Sequence, residues 1–99
     1  MKFKHEGKDY ELNMTRAGLR AAEAQGLSND EVASKPFTSL PLMFFAALYS
    51  KYRMNLNKST AMLDDLLDSG ELEFGEVFEK LVEDYAGFFG AGESEKPEK

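Results

Sequence analysis

Chemistry needs a nucleophile, an acid/base pair or a metal-binding set, and few residues of this chain could supply one. It has one histidine, His5, and no cysteine. His5 sits in a short alternating segment with no serine or carboxylate partner at triad spacing. It therefore reads as a structural or surface residue, not a catalytic one. The carboxylates Asp64, Asp65, Asp68, Glu71 and Glu73 invite a calcium reading. An EF-hand loop needs ligands at alternate positions and a glycine at the sixth, and this spacing does not provide them. A solvated helix face accounts for these acids better. Gly18 and Gly26 belong to no phosphate-cradling loop. The expectation is a protein that is not an enzyme and uses no cofactor or metal.

What remains is apolar. The chain has 12% aromatic residues in a length of 99. Phe37, Met43, Phe44, Tyr49, Tyr52, Phe74, Phe78, Phe88 and Phe89 are too many large side chains to be centred in one modest core, along with Phe45 and Tyr85. Some should form a surface patch, and such patches mark partner sites. These nine are the candidate partner-binding residues. Met43, Met54 and Met62 would let such a surface adapt to varied segments.

The element that organises the rest is Leu40–Leu48, apolar on every side. An ordinary surface helix has one apolar stripe, so this one needs neighbours all round. It is too short for a membrane span, which takes about 20 apolar residues. It is predicted to be the buried central helix of a small bundle, capped by Ser39, with Pro41 in its first turn.

Other elements flank it. Residues 2–12 alternate as a β-hairpin with Phe3, His5, Tyr10 and Leu12 on one face. A loop at Glu6-Gly7 pairs Phe3 with Tyr10, and a loop at Gly7-Lys8 pairs Phe3 with Leu12. Asn13 or Thr15 caps a first helix over residues 16–25, ended by Gly26 with Leu27 turning back. Its small residues Ala17, Gly18, Ala21 and Ala22 allow close packing. Ser28 and Glu31 read as a capping box before a short helix that Pro36 stops. Asn57 restarts the chain into a helix with Met62, Leu63, Leu66 and Leu67 on one face. A last helix carries Phe74, Val77, Phe78, Leu81, Val82, Tyr85, Phe88 and Phe89, with a Glu76–Lys80 pair, and closes at residues 90–92. The fold class is mainly α (α+β): an N-terminal β-hairpin packed on about four to five helices. Residues 1–90 make one domain (2–12 hairpin, 14–90 helical bundle), and 91–99 a flexible polar, acidic tail.

Charge is unevenly placed. Residues 1–58 hold nine Lys/Arg and six Asp/Glu, whereas residues 59–99 hold three Lys and twelve Asp/Glu, for a net charge of -6. Direct nucleic-acid binding needs a basic surface and is not expected. The absence of cysteine fits a reducing compartment, and no secretory leader is visible at Met1–Glu6.

Several features together resemble the small tail assembly chaperones of long-tailed bacteriophages and prophages. The residues are Phe3, Gly7-Lys8, Tyr10 and Leu12 in a hairpin, then Thr15, Leu19, Glu23 and Gly26-Leu27-Ser28. An apolar helix ending near Tyr49 follows, and a Leu-rich helix around Leu63, Leu66 and Leu67. The likeness covers about residues 1–89 as an order of elements, and the acidic, Phe-rich last helix departs from it. It implies a non-enzymatic protein of the bacterial cytoplasm, absent from the mature virion. Such a protein keeps the helical, aggregation-prone tape measure protein soluble until tail tube subunits polymerise. Homo-oligomers and a frameshifted longer form are common there. Two other classes fit the acidic second half: a decoy that binds a basic, nucleic-acid-binding host protein, or a small structural connector of the virion.

Overall fold

The computed structural model describes residues 1–89. The polar tail expected at 91–99 lies outside the described residues. Strands β1 (Lys2–His5) and β2 (Lys8–Glu11) form an antiparallel hairpin. Four helices follow: α1 (Arg16–Ala24), α2 (Pro36–Tyr52), α3 (Leu56–Ser69) and α4 (Phe74–Gly87), with one 3₁₀ turn at Asn29–Glu31 between α1 and α2. This is the predicted mainly α architecture with an N-terminal hairpin. Among the described residues no helix is long and apolar enough to cross a membrane.

The hairpin takes the first of the two registers. Phe3 pairs with Tyr10 and His5 with Lys8. Both loop residues have left-handed backbone, Glu6 at φ 53 and Gly7 at φ 78, as a two-residue turn matched to strand twist requires. A two-stranded ribbon is marginal alone. This one is fastened to α2: Phe3 is buried against Phe44 with ring centroids 5.7 Å apart, and Tyr10 packs on Tyr52 at 5.0 Å. The Tyr52 hydroxyl accepts the Glu11 N–H at 3.0 Å. Asn13 N–H donates to Ala47 O at 2.9 Å, tying the linker to the same helix.

Helix α1 starts and stops as its residues dictate. Thr15 Oγ1 accepts the Gly18 N–H, the N-cap bond. At the other end Gly26 N–H reaches Glu23 O and Leu27 N–H reaches Ala22 O, the paired bonds of a Schellman ending. Gly18 lies so close to α2 that a Cβ there would fall 2.1 Å from Ala46 O. The small-residue face of α1 is thus backbone-to-backbone packing.

Helix α2 is central as expected, packed by α1, α3 and α4. Leu40 and Leu42–Leu48 are all buried. Its start differs from the expected one: the helix begins at Pro36, not after Ser39. Proline at the first helical position forfeits no helical bond. Ser39, inside the helix and buried, donates from its hydroxyl to Val32 O at 2.8 Å and Lys35 O at 3.0 Å. Pro41 consequently lies in the helix interior, where it has no N–H to give to Phe37 O.

Four further expectations are corrected. The Ser28 side chain makes no cap bond, so the capping box is not formed and one 3₁₀ turn results. Asn55, not Asn57, caps α3, with Oδ1 accepting Lys58 N–H at 2.8 Å. Lys80 pairs with Asp84 at 3.0 Å rather than with Glu76; both partners lie one helical turn away, on opposite sides. Helix α4 ends at Gly87, three residues before the expected glycines.

Candidate functional site

The nine candidate side chains fall into separate groups. Met43 and Phe44 are completely buried, so their inclusion in an exposed face is corrected: an all-apolar helix surrounded by three others has no free side. The same burial removes Met54 and Met62 as adaptable surface. Tyr49 and Tyr52, at the C-terminal end of α2, are half-buried under their own chain. Tyr49 packs edge-on to Phe45 with the Arg53 guanidinium over its ring, and Tyr52 is held by the hairpin. Phe88 is 41% exposed and lines a cleft with Leu12, Met14, Lys80 and Asp84.

Three of the others come together. Phe37 projects from the first turn of α2 and is 80% exposed. Its ring lies 4.9 Å from that of Phe74, at the start of α4, and Phe74 stacks on Phe78 at 6.0 Å. On the helical spacing, Val82 continues this row one turn beyond Phe78. Phe89, 58% exposed, lies past the end of α4 and packs against Tyr85 at 5.0 Å. The result is an aromatic stripe along one flank of α4, while Val77, Leu81 and Tyr85 on the adjoining face fill the core. From Phe74 to Val82 it runs about 12 Å at the helical rise.

The solvent-facing back of α4 is acidic. Glu73, Glu76, Glu79 and Glu83 are exposed along α4. The single base of α4, Lys80, is engaged with Asp84. Lys35, next to Pro36 at the other end, is engaged with Glu31 at 3.1 Å. Burial pushes the Tyr85 hydroxyl above its ordinary range, and the Glu23 carboxylate raises it further.

Of the residues first weighed for chemistry, His5, Asp65, Glu71 and Glu73 have structural partners. His5 Nε2 lies 3.4 Å from Asp65 Oδ2, docking the hairpin against α3. Glu71 accepts the Lys4 N–H at 3.1 Å, and Glu73 caps α4 by accepting the Glu76 N–H. His5, Glu6 and Asp65 place ligand atoms within 4.8 Å of one another. Glu6 and Asp65 are exposed. The capping role of Glu73 and the pairing of Phe37 with Phe74 were not read from the sequence. A Glu directly before an apolar helical repeat signals the first, whereas the second joins residues 37 positions apart with no local signal.

The family described as a domain of unknown function, DUF5055, matches residues 1–91. The chain belongs to that family. No curated protein and no solved structure matches it. The stripe, the acidic back of α4 and the hairpin that braces α2 all lie within the matched span.

Proposed function

We propose that this DUF5055 protein is a non-enzymatic assembly chaperone that shields apolar helical segments of a client, the tape measure protein of a long-tailed phage. The observation that carries this reading is the Phe37–Phe74–Phe78 stripe. A ring left 80% in water costs solubility and adds little to the fold. Laid beside Phe74 and Phe78 it makes a row on which the apolar face of another helix can dock. The acids of α3 and α4 alternate with core positions, which favours an oily docking face with a solubilising acidic back over a dense acidic mimic of nucleic acid. The protein acts in the cytoplasm of the bacterial host and leaves before the particle is complete.

Co-expression tests this. The tape measure protein made together with this chain is expected in the soluble fraction, and made alone in the pellet. An unchanged soluble fraction rejects the assignment. Mass spectrometry of purified virions separates chaperone from connector, since a connector is retained.

A further inference from the structure

The tip of the hairpin brings one imidazole and two carboxylates together. Ligand atoms of His5, Glu6 and Asp65, one from each, lie within 4.8 Å of one another. His5 ends β1, Glu6 begins the turn, and Asp65 comes from α3, 60 positions along the chain from His5. The imidazole sets this group apart from a run of surface acids. Its side chain is only 16% exposed, and Nε2 faces Asp65 Oδ2 at 3.4 Å. That is long for an N–H···O bond, which prefers about 2.7–3.2 Å. It is the separation of two ligand atoms on a tetrahedral zinc ion, about 3.4 Å for bonds of about 2.1 Å.

The turn points the same way. Two left-handed residues in a two-residue hairpin loop favour Asn-Gly or Asp-Gly. Here the first of them is Glu6, at φ 53. A glutamate gives up that preference and sets a second carboxylate near Asp65. Among the described residues, no lysine or arginine pairs with either carboxylate. The contact between hairpin and α3 accounts for His5 and Asp65, but not for Glu6.

We infer that His5, Glu6 and Asp65 bind a divalent transition-metal ion of the zinc class, which clips the tip of the hairpin to α3. One imidazole nitrogen and two carboxylate oxygens suit such an ion, whereas calcium takes about six to eight oxygens. Glu6 is exposed, and rotation of its side chain closes the remaining distance. Three protein ligands on an open surface leave the fourth position to water. The ion fastens the turn end of a marginal ribbon, as Phe44 and Tyr52 fasten its middle. The aromatic stripe takes no part, so the site stands or falls apart from the proposed function.

Untagged full chain is titrated with zinc chloride by isothermal calorimetry, and its thermal unfolding is followed with and without zinc. One equivalent is expected to bind. With free zinc tenfold above the measured dissociation constant, the melting temperature should rise by about 6–11 °C. His5→Ala and Asp65→Asn should each weaken binding by about tenfold or more. Asp64→Asn removes an exposed acid next to the site and should bind zinc as the parent does. Glu6→Asn separates the ion from the fold. Asn-Gly suits the turn better than Glu-Gly, so without zinc this variant should melt no lower than the parent. It should nevertheless lose most of the rise that zinc produces. Circular dichroism checks that each variant folds.

Four results overturn the inference. Zinc gives no saturable binding; His5→Ala binds it undiminished, which leaves an adventitious ion on surface acids only; Asp64→Asn weakens binding as much as Asp65→Asn; or Glu6→Asn keeps the full rise in melting temperature.

Discussion

At the scale of single residues, Gly18 is the position where one added carbon has most effect. A methyl group there would meet the Ala46 carbonyl oxygen at 2.1 Å, and the obstacle is backbone. Gly18→Ala should therefore cost about 3 kcal/mol or more despite the better helix propensity of alanine, since overpacking against a fixed element forces α1 away from α2. Denaturant midpoints check this. Tyr85 gives a pH signature. Its hydroxyl is held above its ordinary value of 10.0 by burial and by Glu23, so the unfolded chain ionises first. Stability is whole below the unfolded value and declines as pH rises toward the raised one. Tyr85→Phe should flatten that decline above the ordinary value of 10.0. Equal alkaline slopes in parent and variant would contradict the assignment. The sequence showed Gly18 as one of four small residues, but which of them touches backbone depends on the rotation of α1.

At the scale of elements, the chain advertises some boundaries and conceals others. Thr15 and the Gly26-Leu27 ending are legible because the cap bonds connect residues a few positions apart. The start of α2 was misread because a residue before proline is pushed out of helical geometry, which ends one helix and begins another equally well. With prolines at 36 and 41, Ser39 resembled a cap. It is instead a buried hydroxyl joining α2 to the turn before it. Ser39→Ala leaves Val32 O without its partner and should lower stability by about 1–2 kcal/mol. The N-cap of α4 is testable in the same way. Glu73→Ala removes the acceptor of the Glu76 N–H and should cost about 1 kcal/mol, while Glu79→Ala, with no such bond, should be close to neutral. Thermal unfolding of the two variants side by side distinguishes a cap from a general charge effect.

At the scale of the whole molecule, one long apolar helix absorbs most of the large side chains, and the surplus gathers on α4. The sequence foretold a surplus and not its place. Met43 and Phe44 looked as available as Phe37, because helical spacing does not say how many neighbours a helix will have. Three neighbours and a hairpin buried the middle of α2 and left its first turn open. Phe37 itself therefore contributes little to the fold: Phe37→Ser should change stability by no more than about 0.5 kcal/mol. The most direct measurement takes a variant of this outer row, Phe37→Ser with Phe78→Ser, confirms by circular dichroism that it folds, and compares it with the parent in keeping co-expressed tape measure protein soluble. The account expects the folded variant to leave the client in the pellet. A folded variant that solubilises the client as well as the parent would contradict it.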